Sequence, residues 1–327
     1  MPHQTGEFER IATFFAPLSE NIPGALGLRD DAAVLEPSPG CDLVVTTDTI
    51  VETVHFVGDE PADLVARKLL RVNLSDLASM GARPYAYTLN VAFPDRIGDA
   101  WLADFVAGLA SDQKEFGIAL AGGDSVSTVG PVTLTITAIG QVATGTALRR
   151  TTAQAGDLVY VTGTIGDGAL GLQVLRGGVA GLGPAFEESL VARYRLPRPR
   201  LGVGQAICGI ASAATDVSDG LVADLGHIAD GSGLAVVIDA EQVPLSDAAH
   251  AVMAGDPARL ETILTGGDDY ELVFAVPPTE KGRLDAIASE AGVALTPIGK
   301  FEPGAGVRVR GPDGEDLEFQ QAGYSHR

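Results

Sequence analysis

Residues 117–142 read GIALAGGDSVSTVGPVTLTITAIGQV. The apolar run Gly117 to Ala121 predicts a buried strand, broken at Gly122-Gly123-Asp124. From Val132 to Val142 threonines alternate with apolar residues, which predicts a second strand. The preceding segment, Asp99 to Phe116, reads as a helix. A related pattern returns at residues 266–276, GGDDYELVFAV, where a Gly-Gly-Asp turn leads into an apolar strand. Both halves therefore join strands through glycine turns that carry aspartate, and both interleave strands with helices.

Other elements fit that frame. Glu7 to Phe15 predicts a short helix, and Asp42 to Thr47 a buried strand ending at Asp48. Pro61 opens a helix that runs to about Met80, since proline at a helix start gives up an N–H that would go unbonded anyway. Tyr85 to Phe93 predicts a strand. The Gly/Thr/Ala-rich stretch 144–156 marks a boundary between residues 1–148 and 149–327. Beyond it, strands are expected at Leu158–Thr162, Leu234–Ile238, Glu271–Ala275 and Ala294–Ile298. Helices are expected from about Gly166, at about Arg200–Ser212, at Leu221–Ala229 and at about Glu280–Ala291. The class is α/β or α+β.

Six segments place an aspartate at the end of an apolar run: Asp30-Asp31, Asp48, Asp76, Asp124, Asp216 with Asp219, and Asp268-Asp269. Carboxylates beside buried elements are costly unless neutralised, and no matching set of lysines or arginines flanks these. The expected counter-charge is a cluster of hard divalent cations, and magnesium held by aspartates points to polyphosphate chemistry. Thr46-Thr47-Asp48 offers three oxygen donors to one cation, although a strand-ending turn uses the same residues. Asp76 follows Val65, Leu69 and Val72 in the register of an apolar helix face. Arg71, Lys68 and Arg67 lie five, eight and nine residues from it, none at the spacing that joins helix side chains, so metal is the favoured partner. Asp216-Val-Ser-Asp219-Gly220 enters a helix and reads equally as an N-cap or as a metal–phosphate site.

Gly166-Asp-Gly-Ala-Leu-Gly171 matches the dinucleotide fingerprint, which supports a nicotinamide oxidoreductase as a rival. No strand ending in an acid follows within the required distance, so these glycines are expected to pack a helix closely on a strand or to meet a phosphate. The sequence has no Walker A, kinase HRD/DFG or GxSxG motif. Five histidines show no zinc-like spacing, and His55, just past the Asp48 strand, is a candidate substrate contact. A formal net charge of −21 argues against nucleic acid and anionic membrane as partners. Cys41 and Cys208 suggest no disulfide framework. With no apolar leader and no run of 18 apolar residues, a soluble cytoplasmic chain is expected.

Taken in order, GEFERIATFF, GLRDDAAVL, VVTTDT, NLSDLASMGA, GGD, VTGTIGD, DVSDGL and GGDDYEL resemble the thiamine-monophosphate kinase family. That family belongs to the ATP-binding superfamily of aminoimidazole ribonucleotide synthetase. The resemblance implies two domains, an N-terminal one whose sheet pairs across a homodimer and a C-terminal α/β sandwich, with ATP and several magnesium ions in the cleft between them. It implies phosphoryl transfer from ATP to thiamine phosphate, without a covalent catalytic residue. It places Asp31, Thr46, Thr47, Asp48, Asp76, Asp124, Asp216 and Asp219 on metal positions. Gly123, Asp124, Arg150 and Ser218 fall on ATP contacts, and His55 and Asp268 on positions that hold thiamine phosphate. The sequence departs from the family pattern at Arg29, where glycine is common, and at Asp268, where glutamate is frequent. Gln321 stands where an aromatic is expected, and Phe319 is the substitute.

Overall fold

The computed structural model describes residues 7–324, which divide into two compact units. The first holds residues up to Leu77 and Ala82–Gly145; the second holds Ala78–Gly81 and everything from Thr146.

In the first unit, α1 (Glu7–Arg10) continues as a π-helical turn, Ile11–Phe15, in place of the single short helix expected. The strand β1 (Cys41–Val51), helix α2 (Ala62–Ser79), strand β2 (Arg83–Phe93), helix α3 (Asp99–Phe116) and strands β3 (Ala119–Ser127) and β4 (Thr133–Ala143) follow. The sheet order is β1-β4-β2-β3, so β1 and β3 are its edges. In α2 the register Val65, Leu69, Val72 is buried, as its spacing requires. Helix α3 stops where Gly117 turns left-handed, φ 67°. The two helices are pinned by Asp112, which is fully buried and takes Arg71 Nε at 2.6 Å and Arg67 Nε at 2.8 Å. A buried carboxylate persists only with such partners.

Two sequence expectations change here. β1 does not end at Asp48: it runs on to Val51, because Thr47 and Thr49 pair with Thr137 and Thr135 of β4. β3 likewise does not break at Gly122-Gly123-Asp124; it continues beside β2 with a register shift that skips Ala121.

The second unit contains β5 (Leu158–Thr162), α4 (Asp167–Leu175), α5 (Pro184–Arg195), α6 (Leu201–Ala206), β6 (Ala213–Asp216) and α7 (Leu221–Ser232). Next come β7 (Ala235–Asp239), α8 (Asp247–Gly255), α9 (Arg259–Thr265), β8 (Leu272–Val276), α10 (Lys281–Ala291), β9 (Leu295–Glu302) and β10 (Gly306–Arg310). Six strands order as β10-β7-β9-β5-β8-β6. Alternation in β5 and β8 feeds two cores. Val159, Val161, Val273 and Ala275 face one side, with Leu225 and Ile263. Tyr160, Leu272, Phe274 and Val276 face the other, with Val203 and Leu284. Both faces are covered, which is why these strands read as unbroken apolar runs. The helix expected over Arg200–Ser212 shrinks to α6, and α5, α8, α9, β6 and β10 were not anticipated.

Candidate active site

In the first unit β1 meets α2. Thr46 donates a short hydrogen bond to Asp76 Oδ2, and the Asp48 amide donates to Asn73 Oδ1 at 3.1 Å. Asn73 is fully buried and anchored by its own bond to Leu69 O at 3.0 Å. The arginines of α2 are engaged with Asp112 and Glu115 across α3, as the spacing from Asp76 implied. Thr47 departs from the expectation. Successive strand side chains point to opposite faces, and its hydroxyl donates to Ile136 O at 3.1 Å while accepting from Thr137 at 3.2 Å. Its side chain therefore does not join Thr46 and Asp48.

His55 accepts the Val51 amide on Nδ1 at 3.1 Å. That bond puts the proton of a neutral imidazole on Nε2. Lys68, itself buried, donates to His55 O at 3.3 Å and fixes the turn.

A cavity of about 850 Å³ opens on β3, lined by Leu28, Asp30, Asp31, Leu89, Gly123 and Asp124 among others. It brings Asp31, Gly123 and Asp124 to one wall-and-rim arrangement. The loop that delivers the acids holds three successive left-handed residues, Leu26, Gly27 and Leu28, an uncommon state for leucine. Glycine is required at 123 because a Cβ there would stand 1.9 Å from Leu89 O. The group that approaches this glycine closely is thus the neighbouring strand.

In the second unit β6 delivers Asp216, only 1% exposed, to a loop that runs Val217-Ser218-Asp219-Gly220 into α7. Arg150 donates to Thr215 Oγ1 at 3.0 Å, next to Asp216. The 266–271 turn is zipped to this loop: Asp268 N to Ser218 O at 3.0 Å, Tyr270 N to Val217 O at 2.8 Å, and Val217 N to Glu271 O at 2.8 Å. Asp268 and Tyr270 are both left-handed, φ 72° and 53°, a strain that surrounding contacts must hold. They do: Asp269 Oδ2 and Oδ1 accept Gly166 N at 2.7 Å and Gly168 N at 2.9 Å. Glu271, fully buried, takes Arg193 at 2.8 Å, Arg200 Nε at 2.6 Å and the Thr162 hydroxyl at 2.6 Å. A Cβ on Gly168 would lie 2.2 Å from Asp268 O, and one on Gly171 would lie 2.1 Å from Leu190 O of α5. The 166–171 glycines therefore pack α4 on this turn and on a helix, not on a strand.

The N-cap alternative for Ser218 and Asp219 fails, because Gly220 is the N-cap of α7 and carries no side-chain cap. The capping comes from Asp224, whose Oδ2 accepts Ser218 N, Asp219 N and Gly220 N at 3.0, 3.0 and 3.2 Å. Burial above all, with the neighbouring Asp219 charge, pushes the Asp224 carboxyl up to about 7. Phe319 is partly buried against the second unit's core, so its ring is used in packing. Tyr324 lies closer to the loop: its amide donates to Asp219 O at 2.9 Å, and the residue is 52% exposed.

Sequence reasoning missed Asn73, Asp224, Glu271 and the structural role of Asp269. Asn73 and Asp224 carried a usable signal, a polar residue on an apolar helix face, the same one that picked out Asp76.

Residues 29–142 match the family described as AIR synthase related protein, N-terminal domain, and residues 154–311 match AIR synthase related protein, C-terminal domain. A thiamine-monophosphate kinase of Caulobacter vibrioides is 44% identical over 323 residues, covering 98% of this chain and 90% of that protein. The crystal structure of thiamine-monophosphate kinase from Stenotrophomonas maltophilia K279a superposes with a TM-score of 0.83 at 40% identity, covering 93% of this chain and 98% of that one. AaThiL complexed with AMPPCP and TMP gives 0.76 at 29% identity, covering 96% and 95%. On sequence and fold alike, the chain belongs to the thiamine-monophosphate kinase family.

Proposed function

We propose that this chain transfers the γ-phosphoryl group of ATP to thiamine phosphate, giving ADP and thiamine diphosphate. The observation that carries this is 44% identity, across 98% of the chain, to a curated thiamine-monophosphate kinase. The relative crystallised with an ATP analogue and TMP supports both substrates.

The attacking group is a phosphate oxygen of the acceptor. A phosphate monoester's second pKa is about 6, so it is ionised at neutral pH and needs no general base. The obstacle is repulsion between two polyanions. The candidate ligands fit magnesium by donor chemistry: Asp31, Thr46, Asp48, Asp76, Asp124, Asp216 and Asp219 offer only hard oxygen atoms. Magnesium, when bound, neutralises the phosphates and steadies charge on the transferring group. The protein's part is to hold its ligands in place. Asn73 fixes the Asp48 main chain, and the Thr46 bond orients Asp76. Arg150 and Ser218 are nucleotide contacts in the second unit, and Gly123 and Asp124 are nucleotide contacts in the first. His55 donates from Nε2 to the acceptor, and Asp268 holds it from the strained turn. Thr47 contributes no side chain to the metal.

The working form is a homodimer in the cytoplasm. No helix among the described residues is long and apolar enough to cross a membrane. The sheet leaves β1 and β3 as open edges, with Leu43 46% and Val45 61% exposed on one face of β1. Open edges beside exposed apolar residues are surfaces that a second copy covers.

The test is ADP release measured with thiamine phosphate, with an aminoimidazole precursor, with selenide and with buffer alone. Release that requires thiamine phosphate is the expected result. Release that depends on either alternative acceptor overturns the assignment.

A further inference from the structure

The amides of Ser218, Asp219 and Gly220 point to one place at the start of α7. Such a run of N–H groups at a helix N-terminus ordinarily receives an external anion. Here the site is filled from inside. Asp224, buried in the first turn of α7, reaches back and takes all three amides on a single oxygen. The capping box does something similar with one amide; this version immobilises a whole loop. The carbonyl side of the same loop is also tied, Val217 O by Tyr270 N, Ser218 O by Asp268 N and Asp219 O by Tyr324 N. The main chain is therefore fixed on both sides, and the directions of the Ser218 and Asp219 side chains follow. Gly220 completes the lock, left-handed at φ 126° and with a Cβ position only 2.6 Å from Thr265 O.

We propose that Asp224 is a positioning residue for phosphoryl transfer, acting through the Ser218–Gly220 main chain to aim Ser218 at the nucleotide and Asp219 at its metal. This holds only if those two residues meet nucleotide and metal as proposed above. Groups that orient metal ligands are typically worth about 10–100-fold in metal affinity. Removal of the Asp224 acceptor therefore raises the magnesium concentration for half-maximal activity by about tenfold or more, and leaves KM for thiamine phosphate within about twofold. His227 lies one turn on and is exposed, with a ring nitrogen within 4.8 Å of oxygens of Asp219 and Asp224. It makes none of the three amide bonds and takes no part in the positioning.

The experiment compares D224A, D224N, H227A and D219N in the full chain. It measures magnesium activation, KM for thiamine phosphate, and hydrogen exchange of the 218–220 amides. D224N retains one acceptor oxygen and is expected to fold, to protect the three amides partly, and to shift magnesium activation less than D224A. H227A is expected to match the parent chain. If the amides of D224N lose protection while its magnesium activation is unchanged, the positioning role is wrong, and this variant decides the matter should D224A fail to fold. A shift in H227A as large as that in D224A also overturns the proposal, since it would make the three side chains a direct cation site. A D219N chain with parental magnesium activation refutes instead the metal role of Asp219, which separates the two failures.

Discussion

Asn73 clamps the main chain of Asp48, and Thr46 orients the side chain of Asp76. Positions held this firmly tolerate little chemical change. Asp48→Asn keeps shape and removes charge, and is expected to lower kcat by roughly a hundredfold or more, in line with loss of one preorganised electrostatic group. Parental turnover in steady-state ADP release would refute the role of Asp48. His55→Ala removes the Nε2 donor that the Val51 bond aims, and should raise KM for thiamine phosphate about tenfold with kcat little altered. A kcat loss with unchanged KM would place His55 elsewhere in the reaction. Asp269 yields a different kind of prediction. Burial pushes its carboxyl from the ordinary 3.8 up to about 8, against the pull of the Gly166 and Gly168 amides and Arg193. A folded pKa above the unfolded one means that the native state keeps a proton the unfolded chain has released. The associated stability is fully present below the unfolded value and is lost as pH rises through about 8. Urea unfolding at about pH 5 and about pH 8 should show the parent chain losing stability relative to Asp269→Asn. A relative gain would mean that Asp269 is ionised throughout.

Glycines beside the acids act at the level of the element. A methyl group on Gly123 would stand 1.9 Å from Leu89 O, so Gly123→Ala must push β3 away from β2 beside Asp124, which pairs with Asn90 of β2. Overpacking of this kind costs about 1–3 kcal/mol. Gly122→Ala, one residue earlier, meets nothing within 4 Å. Thermal melting and kcat/KM should therefore fall together in Gly123→Ala and stay near parental in Gly122→Ala; equal behaviour would show that the close approach is unimportant. The same elements show what a sequence reveals. α2 and α3 were legible because Pro61 and Gly117 punctuate them and Val65, Leu69 and Val72 keep a helical period. The ends of β1 and β3 were not, since TTDT and GGD carry turn chemistry that pairing with β4 and β2 overrides. Helix α5 escaped notice because its buried face consists of only Leu190 and Tyr194 in an otherwise polar segment. β6 is four residues long and has no period to read. Asp224 was readable in principle: it stands among Leu221, Leu225 and Ile228 as Asp76 stands after Val65, Leu69 and Val72.

At the scale of the whole molecule, a net charge of −21 leaves little to attract a polyanionic nucleotide except the cations proposed to sit on its aspartates. The sheet topology then sets a constraint. Asp48 lies on β1 and Asp124 on β3, the two opposite edges of the four-stranded sheet. Three strand spacings separate them, roughly 14 Å. Two oxygens on one magnesium lie no more than about 4 Å apart. Even extended toward each other, these side chains do not share an ion within one copy. If the two acids share an ion, the proposed homodimer supplies the geometry by bringing the β3 edge of a second copy to β1. Each site would then take Asp48 from one copy and Asp124 from the other. Mixing two inactive variants tests this. In a heterodimer of Asp48→Asn with Asp124→Asn, one site collects both substitutions and the other collects neither. Unfolding and refolding the two together should restore up to about a quarter of parental activity, half the dimers being mixed and each having one intact site. Either variant refolded alone should stay inactive. If the mixture also stays inactive while forming dimers by sedimentation, each chain carries its own Asp48 and Asp124 site. The two edges would then serve separate ions along one nucleotide.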